Sequence, residues 1–289
     1  MQPAYVVSSV WWYSLVGILL LYAVVEWRHM RRDHVVKFRE AVFWTIFYVS
    51  LGVAYSIPIF IWLGNQAGGE YLAAFFTEKA LSLDNLFVFG LIFATFKLPK
   101  KLERRVLNYG VVGAIIFRLI FIVAGIALLE KFKWISIIFG LILLRAAWHA
   151  YQDARGKSEE MEVTNTKTWK ILSSILPLYH HYIDHKLLVV RNGKRLFTML
   201  FAVILMIEFT DILFAVDSVP AVLAISTNRF IAYSSNIFAI LGLRALYFVY
   251  AQVAEKFWAL KWGISIILGW ISFKLIVSPF NWHIPNSIN

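Results

Sequence analysis

The chain has 289 residues, 60% of them hydrophobic and 16% charged, with a formal net charge of +11 and no cysteine. That balance excludes an ordinary soluble domain, and the missing thiols exclude disulfides and thiolate metal sites. The excess of positive charge would fit a nucleic-acid binder only if it were gathered on one folded surface, and its distribution along the chain says otherwise.

Eight apolar windows, each near the length a helix needs to cross a hydrocarbon layer about 30 Å thick, succeed one another near residues 5–26, 41–63, 70–96, 106–129, 134–150, 196–225, 230–250 and 262–278. They predict an all-α polytopic membrane protein of about eight transmembrane helices. The opening MQPAYVVSSVWWY lacks the basic start of a cleaved signal, whereas EWRHMRRDHVVKFRE comes after the first window, so that window is expected to stay and to begin outside. Of the 28 Lys and Arg, 20 then fall in the segments 27–40, 97–105, 151–195 and 251–261, all on the inner side. Only Lys131, Lys133 and Arg229 fall outside, and Lys79, Arg118, Arg145, Arg244 and Lys274 lie within or at the edges of spans. This sorting places both termini outside, predicts a multi-pass protein of the bacterial inner membrane whose partner is the lipid bilayer, and removes nucleic acid as a partner. Trp pairs such as Trp11 and Trp12 suit the interfacial belts.

Between the fifth and sixth windows, residues 151–195 form an inner segment expected to rest on the membrane face. Asn192 and Gly193 between β-favouring runs predict a short hairpin there. His180, His181, Asp184 and His185 offer a metal-sensing cluster if His181 and His185 share a helix face, against the plainer reading of interfacial polar residues beside anionic lipid. Residues 155–166 have a flexible composition.

The chain repeats itself. TEKALSLDNLFVF from Thr77 aligns without gaps on TDILFAVDSVPAV from Thr210; IIFRLIF around Arg118 resembles LGLRALY around Arg244; EKF recurs at Glu130 and Glu255. The units hold three spans each, so an inverted 3+3 repeat is expected, with two N-terminal helices added: an N-terminal pair at 1–69, repeat A at 70–150, the connecting segment at 151–195 and repeat B at 196–289. An odd number of spans per unit forces inversion and brings the two motifs to a shared midplane site.

Five acids lie well inside these windows, away from their ends: Glu78, Asp84, Glu208, Asp211 and Asp217. A carboxylate in lipid is costly, so it marks an ion or proton path or else pairs with Arg118, Arg244 or Lys79 to join helices. On unbroken helices Glu78 and Asp84 point about 120° apart and Glu208 and Asp217 about 180° apart, with roughly 9 and 13 Å of rise. Either the helices are interrupted or the acids form two stations along a path, and Pro220 favours an interruption beside Asp217 and Ser218. With the Asn85 amide and the hydroxyls of Thr77, Ser82, Thr210 and Ser218, every donor in the motifs is an oxygen, which suits Mg²⁺, Ca²⁺ or Mn²⁺ better than zinc or copper. Arg118 and Arg244 either occupy the site between transport steps or bond helices statically.

FFTEKALSLDNLFVF and IEFTDILFAVDSVPAVLAIS resemble the two signature segments of the TerC family of integral membrane proteins, grouped with LysE-type exporters. The resemblance implies a divalent metal exporter, most often of manganese, with an older link to tellurium resistance. Carried over by similarity, Glu78, Asp84, Glu208 and Asp217 are the metal-binding acids, with Asn85, Asp211 and Ser218 beside them. No organic cofactor is implied; Mn²⁺ or another hard divalent cation is the transported ligand. A second function from a different class is a membrane scaffold or metallation factor working with secretion or membrane quality-control proteins. Protonation of Glu78 or Glu208 offers a route to proton exchange. Enzymatic readings are set aside: Asp84 and Asp217 would form the pair of an intramembrane aspartyl protease only with a Gly-x-Gly-Asp segment, and none is present, nor is any phosphate loop, His-Glu-x-x-His pair or nucleophile elbow.

Overall fold

The computed structural model describes residues 7–30, 36–132, 134–155, 167–191, 193–253, 258–277 and 279. The chain is predominantly helical. Helices α1 (Ser9–Met30), α2 (Phe38–Leu63), α3 (Asn65–Thr95), α4 (Lys100–Lys131) and α5 (Ile135–Ala154) precede the connecting segment. That segment holds α6 (Lys167–Ile175) and strands β1 (Leu178–Tyr179), β2 (Leu188–Arg191) and β3 (Lys194–Thr198). Then come α7 (Met199–Ile225), α8 (Arg229–Leu241), α9 (Leu243–Val253) and α10 (Trp258–Val277). Among the described residues α2, α4 and α7 are long and apolar enough to cross a membrane, and α8 with α9 forms a fourth candidate bent by 51°. This is the build of an all-α membrane protein, in which helices satisfy their own backbone groups away from water.

Packing fixes the helix directions. In one apolar cluster Ala67, Tyr71 and Phe75 of α3 lie with Ala215, Val219 and Leu223 of α7; in another, Leu86 to Phe96 of α3 lie with Leu200 to Ile207 of α7. The two helices therefore run antiparallel. Helix α4 runs parallel to α7, since Gly110 faces Ile207 and Gly125 faces Leu223. Helices α8 and α9 run parallel to α3: Lys79 reaches Ala239, and Phe93 meets Tyr247 with ring centroids 5.4 Å apart. Helices α5 and α10 pack antiparallel along much of their length, closely enough that Ser272 donates to the Gly140 carbonyl at 2.7 Å and Ser265 to the Ala147 carbonyl at 3.0 Å. A side chain at Gly140 would meet the α10 backbone at 3.1 Å, so a small residue permits the contact.

Two features depart from the sequence expectations. Helix α7 continues through Pro220, so the interruption expected there is absent. A proline removes one hydrogen bond to the preceding turn, and a helix packed among neighbours tolerates that loss. The break comes instead in the next span, at Gly242 between α8 and α9. A side chain at Gly242 would lie 2.9 Å from Tyr48 Cβ and 3.1 Å from Lys79 Nζ, which explains why glycine stands at the joint.

In the connecting segment β3 pairs antiparallel with β2, Arg191 opposite Lys194, and parallel with β1, giving the order β1-β3-β2. Gly193 takes φ +74°, a left-handed turn conformation that glycine adopts without strain; Asn192 lies outside the described residues. The sheet and α6 are tied to the end of α3: Trp169 packs on Phe96 at 4.5 Å between ring centroids, and the Tyr182 hydroxyl donates to the Phe96 carbonyl at 2.8 Å. Residues 180–187 are irregular, with Asp184 at φ +40°, so His181 and His185 do not share a helix face. Among the described residues no three His, Asp or Glu side chains form a metal cluster, and the histidine sensor reading is corrected accordingly.

Candidate functional site

The site is built where α3, α4, α7 and α8 meet. Glu78 lies near the middle of α3, Arg118 in the second half of α4 and Asp211 near the middle of α7. All three are sealed from the surface, at 0%, 0% and 1% exposure. Arg118 Nη1 donates to Glu78 Oε1 in a buried ion pair, and Arg118 Nη2 lies 3.7 Å from Asp211 Oδ1. Glu78 and Asp211 occupy equivalent positions in the two similar sequence motifs, each directly after its threonine, so one arginine joins the corresponding acids of both motifs.

Neutral oxygens complete the surroundings. Arg118 Nη1 lies 3.2 Å from Ser218 Oγ and 3.5 Å from Asn236 Oδ1, while Asn236 Nδ2 donates to Glu78 Oε2 at 3.2 Å. Asn236, on α8 and fully buried, was not foreseen from the sequence; its signal is the polar run Ser234, Ser235, Asn236 inside an otherwise apolar span. The cluster is incompletely bonded: Arg118 Nε and Nη2, Asp211 Oδ2 and Glu208 Oε2 are buried without hydrogen-bond partners among the described residues. Guanidinium geometry offers five donors, and this one has only part of them engaged.

The remaining sequence candidates are distributed around this centre. Glu208, one turn before Asp211 on α7, presses its carboxylate against Gly113 of α4, where any Cβ would collide with it. Asp217 sits six residues beyond Asp211 and is half-buried; Arg145 and His149 of α5 lie in its neighbourhood, so it belongs to a second locality. Asn85 is buried at 3% exposure. The Thr210 hydroxyl donates to its own helix at Met206 and the Ser82 hydroxyl to Glu78 O, both at 2.7 Å, leaving Ser218 as the hydroxyl turned to Arg118. Thr77 is buried on α3. The Asp84 side chain lies outside the described residues. Arg244, at the start of α9, donates to Asn108 of α4 at 3.0 Å. Lys79 donates to the Ala239 carbonyl at 2.6 Å, near the end of α8.

A helical membrane protein with a sealed, charged centre is the class that this fold and site define. The chain belongs to the TerC family of integral membrane proteins, whose family description matches residues 63–289. Among curated relatives it is 35% identical over 274 residues to an uncharacterized membrane protein of Rickettsia conorii, covering 94% of this chain and 89% of the relative. It is also 35% identical over 285 residues to a Salmonella typhi protein named "Putative membrane-bound redox modulator Alx", covering 96% and 87% respectively. A protein of Myxococcus xanthus, again an uncharacterized membrane protein, is 36% identical over 250 residues, with 86% and 77% covered. No solved structure matches the chain.

Proposed function

We propose that this protein exports a hard divalent cation, with Mn²⁺ the foremost candidate, across the bacterial inner membrane through a site shared by two inverted three-span repeats. In this reading α1 to α5, α7, the bent α8–α9 pair and α10 are eight spans, and both termini lie outside. The packing directions support inversion. Helices α3 and α7, which open the two units, run antiparallel, and each unit's second span runs parallel to the other unit's first.

One observation carries the proposal: Glu78 and Asp211, equivalent acids from the two motifs, meet at a single buried guanidinium. Two carboxylates leave a charge of −2 that Arg118 only half neutralises, whereas a divalent cation neutralises it fully. The oxygens facing the guanidinium, from Glu78, Asp211, Ser218 and Asn236, are hard donors of the kind Mn²⁺, Mg²⁺ and Ca²⁺ accept. Arg118 thus acts as a tethered cation that holds the carboxylates until an ion displaces it. Asp217, about 9 Å further along α7, provides a second station on the path. The relative's name speaks of redox modulation; this chain has no cysteine, so a thiol couple is not its means of any such effect.

Purified protein in liposomes tests the reading. Wild type is expected to carry Mn²⁺ down its gradient, with Glu78→Gln and Asp211→Asn reducing the flux at least tenfold. Flux indistinguishable between wild type and both variants would reject it. Unchanged cellular manganese on deletion, together with loss of metal from secreted enzymes, would favour the scaffold or metallation role with secretion proteins instead.

A further inference from the structure

Resting on the functional reading above, we propose that Asn236 is itself a ligand of the transported cation, and that through it the half-helix α8 is fastened to the ion, so that loading the site sets the bend at Gly242. The amide is held in one orientation by its surroundings: Nδ2 donates to Glu78 Oε2 at 3.2 Å, which leaves Oδ1 directed at Arg118 Nη1, 3.5 Å away. That same Nη1 faces Glu78 Oε1 and Ser218 Oγ. A cation that takes the place of Nη1 therefore meets an oxygen from α3, one from α7 and one from α8, with the Asp211 carboxylate beside it. Neutral amide oxygens are ordinary ligands for hard divalent ions and add a donor without adding charge.

The helix that carries Asn236 is buried along its length and is separated from the second half of its pair by the break at Gly242. It ends at the break, and beyond the break Arg244 ties α9 to Asn108 of α4. On the near side α3 grips α8 at two points with consecutive residues: Glu78 holds Asn236, and Lys79 donates to the Ala239 carbonyl at 2.6 Å. Asn236 and Ala239 are three residues apart and so share a helix face. The ammonium also sits at the negative end of α8, a favourable placement for a cation. The two arginines are used reciprocally. Arg118 of repeat A reaches Asn236 in repeat B, and Arg244 of repeat B reaches Asn108 in repeat A. The joint at Gly242 lies between the two contacts, so any ion that replaces Arg118 acts on only one side of it.

Binding of Mn²⁺ to the full-length protein in lipid nanodiscs, monitored by loss of the free-ion paramagnetic resonance signal, separates ligation from packing. Asn236→Leu is expected to weaken binding at least tenfold, while Asn236→Asp, which keeps an oxygen in place, stays within a few-fold of wild type. Amide hydrogen exchange supplies the second readout: Mn²⁺ should slow exchange across residues 229–241 in wild type and in Asn236→Asp, and leave it unchanged in Asn236→Leu. Equal losses in Asn236→Leu and Asn236→Asp would make the residue a packing element and overturn the inference. Wild-type affinity in Asn236→Leu, or Mn²⁺ binding without any change over 229–241, would overturn it too. A wild-type protein that takes up no divalent cation overturns the transport reading itself and with it this extension.

Discussion

Replacing Arg118 by methionine removes a charge while keeping much of the apolar stem. Glu78 and Asp211 are then left facing each other's surroundings at 0% and 1% exposure, with no solvent to screen them. Removing one partner of a buried ion pair costs about 3–5 kcal/mol, because the remaining charge stays uncompensated. For a protein of this size the expected fall in melting temperature is on the order of 10 °C in the presence of a chelator. Mn²⁺ should then restore more stability to the variant than it adds to wild type, since in wild type the ion must first expel the guanidinium. At 100 times its dissociation constant a ligand contributes about 2.7 kcal/mol, enough to recover most of the smaller estimate. The assay is thermal unfolding of detergent-solubilised protein, wild type and Arg118→Met, with chelator and across a Mn²⁺ titration. Equal melting temperatures in chelator would show that Arg118 is not the compensating charge. A Mn²⁺-induced rise no larger in Arg118→Met than in wild type would refute the tethered-cation argument.

Three further outcomes are expected. Gly113→Ala places a Cβ on the Glu208 carboxylate, the movable end of a side chain, so the variant should express and remain monodisperse while Mn²⁺ flux falls several-fold. Gly242→Ala crowds Tyr48 Cβ at 2.9 Å and Lys79 Nζ at 3.1 Å at the joint, and should cost about 1–3 kcal/mol in thermal unfolding. Tyr182→Phe removes the donor to the Phe96 carbonyl and should cost about 0.5–1.5 kcal/mol. Burial raises the Tyr182 phenol from 10.0 to about 12, so its contribution is constant below about pH 10 and fades as pH climbs through 12; melting curves of wild type and Tyr182→Phe should converge there.

The helices were legible because their signal is local: a window of apolar residues announces itself wherever it stands, and each window meets a helix. Charge in such a window has few explanations and so singles out the motif acids; of these, Glu78 and Asp211, the latter expected only beside the metal-binding acids, meet at Arg118, while Asp217 stands apart. The break between α8 and α9 was not legible. In ILGLRAL a single glycine interrupts nothing in hydropathy, and only the approach of Tyr48 and Lys79 from α2 and α3 shows why a residue without a side chain stands at the bend. Pro220 carried the opposite lesson. Its missing donor is a strong local sign, yet in a helix enclosed by α3, α4 and α5 one lost bond does not stop the turn from continuing. Asn236 was missed for a related reason: one polar side chain on a buried span has many ordinary roles, and the distance to Glu78 selects among them.

In the proposed transport reading, the spacing along α7 calls for more than one tethered cation. Glu208 and Asp211 lie one turn apart and share the region of α4, where Arg118 stands, whereas Asp217 lies more than two turns beyond Glu208 and faces Arg145 and His149 on α5. No single side chain spans both localities, since the rise from Asp211 to Asp217 is about 9 Å. Asp211 thus has Arg118 of α4 beside it, and Asp217 has Arg145 of α5 in its neighbourhood, each cation fixed to another helix. In the proposed transport cycle an ion passing between the two acids exchanges with Arg118 and then meets the locality of Arg145. The tethered charges then limit the cost of leaving a carboxylate bare in lipid, which is the condition a path of buried acids must meet to conduct a divalent cation rather than hold it.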